Sequence, residues 1–377
     1  MIRNSTLLGG GIEIDLDAIT RNWRALDAVA ANALTGAVLK ADAYGTGIKT
    51  VSRTLFKAGA RFFFVATPDE GLSLKAAVPQ AHVFVLDGLL PGTARDYAEH
   101  GLMPVLASTE QLGEWLDYCL AVGEAAPAAL HFDTGFNRVG LRMDEAEGVA
   151  EALKQSGFEP QMIMSHLACA DQPQHEMTRK QYGLFQGLRN QFPNIPASLA
   201  NSAGLMASKD FHFQMVRPGI AVYGGRAING RPNPMAPVIR MEVPVLQTKS
   251  ARAGETVGYG ASYRLRRDSR LAIIAMGYAD GLFRSLSGVH GHKGGTVAIG
   301  GQLAPIVGRV SMDMTAVDIT DIPAPLRAGD TVEVLGETIG IDDVAEAAGT
   351  IGYEILTQFN GRFPRRYANV PEGVEVD

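Results

Sequence analysis

Cysteine is nearly absent from this chain: Cys119 and Cys169 are the two among 377 residues. Two thiols cannot build the disulfide framework of a small secreted scaffold, so a reducing compartment is expected. A basic excess is missing as well. Lysine and arginine number 34 against 40 acidic residues, a net charge of -6, and no basic patch or tail is visible. Nucleic acid and anionic membrane surfaces are therefore excluded as expected partners. No apolar run approaches the ~20 residues that cross a bilayer. The segment Met1 to Gly11 lacks the roughly 7–15-residue apolar core of a signal peptide, which leads to the expectation of a cytoplasmic protein. Gly9–Gly11 reads as a turn or hinge, because no helix-opening Lys or Ser follows as in a phosphate loop. Internal repeats and low-complexity tracts are lacking too.

What is present suffices for one large domain and a smaller one, with 46% of the residues hydrophobic. Residues 12–236 alternate strand-like and helix-like segments. Asp17 is a plausible N-cap for a helix whose face carries Ile19, Trp23, Leu26 and Ala30. Ser108-Thr-Glu-Gln111 is a capping-box sequence, followed by Leu112, Trp115, Leu116 and Cys119 at helical spacing, so Cys119 reads as core packing. Candidate strands fall at 36–40, 62–66, 82–86, 103–106, 128–133, 161–166, 196–200 and 214–223. Eight strands separated by helices predict an α/β architecture, a (β/α)8 TIM-type barrel. A doubly wound sheet is the alternative, but no Gly-x-Gly-x-x-Gly follows the first strand. Near Pro237 the texture changes to short β-type runs (Val238–Val243, Leu271–Ala275, Thr296–Ile299, Asp330–Leu335) with one helix near Ile341–Ala348. Residues 237–377 thus form a second, mainly β domain, which residues 1–11 could join.

Functional groups of such a barrel collect at the C-terminal ends of its strands. There the sequence places Lys40, Asp133 with Arg138 beyond it, His166, Asn201-Ser202 and Arg217-Pro-Gly-Ile220. Lys40 ends the apolar run Ala37-Val-Leu39. Lysine is rarely buried without a partner or a task, and partial desolvation lowers its pKa, so that a neutral amine can attack a carbonyl. Read alone, the segment fits a surface lysine equally well. Ser202, Gly219 and Ile220 lie after strands seven and eight, where a barrel often cradles phosphate. A phosphate cradle and a strand-end lysine together suggest pyridoxal 5'-phosphate. No metal site is expected. His290 and His292 lack a third ligand of sensible spacing, and His166, Asp171 and His175 read as a chance grouping.

Eight segments then coincide with one family. Ala37-Val-Leu-Lys40-Ala-Asp-Ala-Tyr-Gly45, Asp133-Thr-Gly-Phe-Asn-Arg138-Val-Gly140, Ser165-His-Leu-Ala-Cys-Ala-Asp171, Asn201-Ser-Ala-Gly204, Val216-Arg-Pro-Gly-Ile220, Gly258-Tyr-Gly-Ala261, Met276-Gly-Tyr-Ala-Asp-Gly281 and Gly308-Arg-Val-Ser-Met-Asp313 resemble alanine racemase, in register from residue 12 to Arg365. The resemblance implies a pyridoxal-phosphate enzyme of fold-type III that interconverts L- and D-alanine, for peptidoglycan or for alanine catabolism. It implies a homodimer with active sites shared between subunits. Lys40 would hold the cofactor and face one side of the substrate α-carbon, and Tyr259 of the partner chain would face the other. Tyr44, Ser202, Gly219, Ile220 and Tyr353 would bind phosphate. Arg217 would bond the pyridine nitrogen, with His166 in its network. Arg138, with the Met312 N–H of the partner chain, would hold the substrate carboxylate; Tyr278 with Tyr353 would narrow the entrance, and Asp313 belongs to the same substrate-side set. Taken alone, Tyr259 would read as a turn aromatic, Arg217 as a surface cation, and Ser311-Met-Asp313 as ordinary packing.

One departure stands out. Many members carry a carbamylated lysine two residues before the Asp-Thr-Gly, where this chain has His131. Arg138 must then be oriented by His131, by a bound anion, or by another group. Two other readings are a decarboxylase of the same architecture, which would want a cysteine in the β domain, and a non-catalytic carrier of the cofactor, which would need no β domain.

Overall fold

The computed structural model describes residues 10–359 and 362–377. The opening segment read above for a signal peptide and a glycine hinge lies outside the described residues as far as Gly9. The chain divides into two units. One takes the residues up to Ala18, Tyr223–Gly225 and Ala236–Val370; the other takes Ile19–Val222, Arg226–Met235 and Pro371–Asp377.

The first strand, β1 (Gly11–Asp15), leads into the helix Leu16–Ala30. That helix is capped by Asp15, not by Asp17 as the sequence suggested: Asp15 Oδ1 accepts from Ala18 N at 2.9 Å. The helix starts at Leu16, so Asp17 falls inside its first turn, where a carboxylate favours the dipole without capping.

The larger unit is the barrel. Its strands are β2 (Leu34–Thr35), β3 (Ala37–Val38), β4 (Phe62–Val65), β5 (His82–Val85), β6 (Leu102–Leu106), β7 (Ala129–His131), β8 (Ile163–Met164), β9 (Ala197–Ser198) and β10 (Met215–Val216). From β3 to β9 they form one parallel sheet of seven, each strand buried on both faces as a parallel sheet demands. β10 closes it. Gln214 N and Arg217 N bond the carbonyls of Ala197 and Ala200, while Gly36 N and Val38 N bond those of Val216 and Pro218. β2 and β3 are thus one strand interrupted at Gly36, paired to β10 on one side and β4 on the other. The eight expected strands are all found, most of them shorter than their apolar runs. The excess residues flank the strands at both ends, where some still donate single bonds to the neighbouring strand, as Gln161 N does to Ala128 O and Phe132 N to Met164 O; beyond β10, Pro218 has no N–H to donate. The capping serine is in place, with Ser108 Oγ accepting from Gln111 N, and Cys119 is only half-buried. The last seven residues join this unit, with Arg53 Nη1 bonded to Glu375 O at 3.0 Å and Asp377 N to Thr50 Oγ1 at 3.2 Å.

The second unit is mainly β. Its strands are β11 (Ile239–Ala251), β12 (Thr256–Val257), β13 (Tyr263–Arg264), β14 (Ser269–Ile274), β15 (Thr296–Ile299), β16 (Gln302–Pro305), β17 (Thr315–Asp318), β18 (Thr331–Leu335) and β19 (Arg365–Ala368). β11 alternates inward Ile239, Met241, Val243 and Val245 with exposed or half-exposed neighbours, the period-two pattern of a one-sided strand. Its first half pairs with β1 and β18; after a register shift near Leu246 its second half pairs with β14. β1 completes this sheet between β11 and β19. The expected helix is found at Ile341–Ala348, and a further helix, Gly352–Gln358, follows it.

Candidate active site

Lys40 stands two residues past the end of β3, half-buried, where the chain makes an unusual turn. Ala41, Asp42, Ala43 and Tyr44 all sit at φ near +54°, in the left-handed region. For side chains with a Cβ this costs roughly 1–2 kcal/mol per residue, so other contacts must hold the turn. Ala43 N and Gly45 N bond the carbonyls of Leu39 and Ala41, each at 2.8 Å. Asp42 Oδ1 accepts from Ile48 N and opens the next helix. Glu70 does most: its Oε1 accepts from Ala41 N at 2.6 Å and Asp42 N at 3.3 Å, while Oε2 accepts from Ala66 N at 2.8 Å. One carboxylate therefore ties the β3 exit to the β4 exit. Burial, with the Arg138 cation adding to it, lowers the Lys40 pKa, while Asp87 and Glu70 pull it upward.

Tyr44 is buried, and its hydroxyl lies where a Cβ on residue 219 would clash; only glycine leaves that room. Ser202, buried at the β9 exit, accepts from Gly219 N at 2.8 Å and Ala221 N at 3.4 Å. Ile220 is buried beside them. Tyr44, Ser202, Gly219 and Ile220 thus converge between the exits of β3, β9 and β10.

Arg217 is buried at the β10 exit and donates to Ser198 Oγ at 2.5 Å and to the Ser165 carbonyl at 2.7 Å. Complete burial pushes its pKa down to about 9, which still leaves it protonated at neutral pH. The imidazoles around it are held neutral. Burial, then the Arg217 charge, pushes His131 down to about 4, and the same causes hold His166 well below its ordinary value. Gln181, fully buried, braces this corner: Nε2 donates to the His166 carbonyl and Oε1 accepts from Ala168 N, both at 2.8 Å. Arg138 lies in the β7 exit loop and its charge is felt by Lys40, His131 and His166.

The remaining candidates sit on the β unit, exposed. Tyr259 occupies a turn between β12 and β13 and is 69% exposed, with Gly258 and Gly260 on either side at positive φ. Tyr278 and Met312 are neighbours: Tyr278 N bonds Ser311 O and Ala279 N bonds Met312 O, both at 3.0 Å. The Met312 N–H makes no hydrogen bond among the described residues. Asp313 pairs with Arg362 at 2.7 Å, and Arg362 also reaches Asp280. Tyr353 lies on the helix Gly352–Gln358, partly exposed.

Glu70, Phe136, Ser165, Gln181 and Ser198 were not found by reading the sequence. Thr67-Pro-Asp-Glu70 does carry a capping-box signature, and Thr67 and Glu70 form that box. The second task of Glu70, on the neighbouring loop, leaves no mark in the sequence.

Residues 14–227 match the family model "Alanine racemase, N-terminal domain" and residues 238–367 match "Alanine racemase, C-terminal domain". An alanine racemase of Agrobacterium fabrum described as biosynthetic is 46% identical over 94% of this chain and 93% of its own length. A second one from that organism, described as catabolic, is 43% identical over 95% and 92%. The structure of alanine racemase from Bartonella henselae with covalently bound pyridoxal phosphate superposes with a TM-score of 0.90 at 37% identity, over 95% of this chain and 99% of that one. The chain belongs to the alanine racemase family.

Proposed function

We propose that this protein interconverts L- and D-alanine with pyridoxal 5'-phosphate bound at the open end of the barrel. The observation that carries the reading is Lys40, an amine of lowered pKa at a strand end, beside a converging set of small and hydroxylic groups. The fit to the cofactor rests on the space that Gly219 leaves next to Tyr44 and on the buried Arg217 guanidinium, held at the β10 exit by Ser198 and the Ser165 carbonyl. Lys40, Tyr44, Ser202, Arg217, Gly219 and Ile220 would hold it, with Tyr353 at the phosphate and His166 behind Arg217. When bound, the group withdraws electrons from the substrate α-carbon and acidifies its C–H bond.

Racemisation needs a proton acceptor on each face of that carbon. Lys40 takes or returns the proton on one face, and a pKa lowered by burial favours the basic form of its amine. Tyr259 from a second copy of the chain serves the other face. Its exposure, with that of Tyr278 and Met312, suits side chains that a partner subunit covers. Arg138 and the unused Met312 N–H of the second copy bind the substrate carboxylate, with Tyr278 and Tyr353 narrowing the entrance and Asp313 next to Met312 on the substrate side. Arg217 donates hydrogen bonds without surrendering its proton, which limits electron withdrawal and favours return of the proton to the α-carbon.

We place the enzyme in the cytoplasm as a homodimer. Among the described residues no helix is long and apolar enough to cross a membrane, and both cysteines are free. Both lie in the barrel unit, which leaves the β unit without the thiol a decarboxylase would want. The test is the visible absorbance of the purified protein, followed by chiral chromatography after incubation with L-alanine. D-alanine should accumulate to an equal mixture. A cofactor-loaded sample that never exchanges the α-proton would make it a carrier, and carbon dioxide from diamino acids would make it a decarboxylase.

A further inference from the structure

The residue that would orient Arg138 in a carbamylated family member is replaced here by His131. His131 is buried, neutral at physiological pH, and bonded through no ring nitrogen to Arg138 among the described residues. Nor does a carboxylate take over. Asp133 Oδ1 accepts from Gly135 N and Phe136 N at 2.7 Å each, and Oδ2 accepts from Asn137 N at 2.8 Å. No ion pair to Arg138 occurs among the described residues. What touches its guanidinium is an aromatic ring. Arg138 Cζ lies 4.2 Å from the centroid of Phe136.

That ring is itself fixed. It meets the His166 ring edge-on, with centroids 5.5 Å apart at 68°. Its backbone is held by Asp133, and the loop is closed at its base by Asp133 N to Leu141 O and Leu141 N to His131 O, both 2.8 Å. Gly140, at φ +134°, permits the tight return; a Cβ there would meet Asp133 N at 2.7 Å.

We infer that Phe136 is the positioning residue for Arg138, its π face holding the guanidinium over the β7 exit in place of the anionic group used elsewhere in the family. The inference rests on the proposed function and deepens it, because it names what presents Arg138 to the substrate carboxylate. A cation within about 6 Å of a ring face is attracted by the ring quadrupole. Unlike simple apolar packing, that attraction depends on ring electronics, which makes it separable by experiment.

The experiment uses the holoenzyme carrying Phe136→Leu, Phe136→Tyr, or a series of increasingly fluorinated phenylalanines at position 136. KM and kcat are measured for both alanine enantiomers. The Kd of propionate, a carboxylate without an amine, is measured by calorimetry. Phe136→Leu should raise KM and the propionate Kd together by about two- to five-fold, the range of an exposed cation–π contact, with kcat moving less. Phe136→Tyr should behave as wild type, and the propionate Kd should climb with fluorine count. A flat fluorine series, or Phe136→Leu with both constants unchanged, would overturn the inference. Should Phe136→Leu fail to fold, the nearly isosteric fluorinated series decides alone. A wild-type protein that does not racemise alanine sinks the proposed function, and the propionate series still decides the role of Phe136.

Discussion

Glu70 Oε1 accepts the backbone N–H of Ala41 at 2.6 Å, which joins the residue after Lys40 to the helix that follows the next strand. The carboxylate also raises the Lys40 pKa against the effect of burial. Glu70→Gln keeps one acceptor oxygen and removes the charge, so the Lys40 pKa should fall further and the corresponding limb of the pH–rate profile should move to lower pH. Glu70→Ala leaves the left-handed turn without its main acceptor and should cost about 1–3 kcal/mol, read from the urea midpoint. Unchanged stability and an unmoved limb would show that the turn holds itself.

Tyr259→Phe tests the two-sided proton transfer. The equilibrium constant between enantiomers is one, so the loss in kcat/KM must be the same in both directions; on the scale of general acid–base catalysis it should be about 10²–10⁴-fold. The informative quantity is α-deuterium uptake in heavy water. One enantiomer, the one whose proton faces Lys40, should still exchange with retention, and the other should not. Equal, mild losses of exchange for both would rule Tyr259 out as a base.

Gly219→Ala places a methyl group against the Tyr44 hydroxyl. Overpacking of this kind costs about 1–3 kcal/mol, and here it should also weaken cofactor binding. Combining it with Tyr44→Phe removes the clashing oxygen, so the double variant should lose less stability than the two single losses added together. Strict additivity would mean that the two residues do not touch.

His131 predicts an acid limb of stability. Its pKa is about 4 in the fold and 6.5 in the unfolded chain. Between those values the unfolded state binds the proton and the fold does not, so stability is complete above pH 6.5 and declines as pH falls towards 4. The decline from this residue is on the order of 3 kcal/mol, and His166 adds to it with the same sign. His131→Asn should flatten that slope in urea titrations at a series of pH values. Parallel curves for the two proteins would show that His131 titrates freely in the fold.

Much of this was legible along the chain. Apolar runs such as Phe62–Val65 and the alternation of Ile239, Met241, Val243 and Val245 specify strands locally, because burial on two faces or on one leaves a different period in the residues themselves. Lys40, His166, Ser202 and Arg217 are visible for a related reason: each is a polar residue within four positions of the C-terminal end of a short barrel strand.

Other features depend on residues far apart in the sequence. A barrel closes only when β10 bonds β2, and nothing in either segment announces the partner. Glu70 reads as a helix cap, and only the fold brings the β3 exit close enough for the same carboxylate to hold a left-handed turn. Phe136 reads as one more loop aromatic. The composition and patterning of the chain determined its strands, its helices and the polar groups at the strand ends. Tertiary structure alone decided which backbone each carboxylate holds, how far the amine of Lys40 is desolvated, and which ring lies beneath Arg138. Those are contacts through space, and local sequence carries no information on distance.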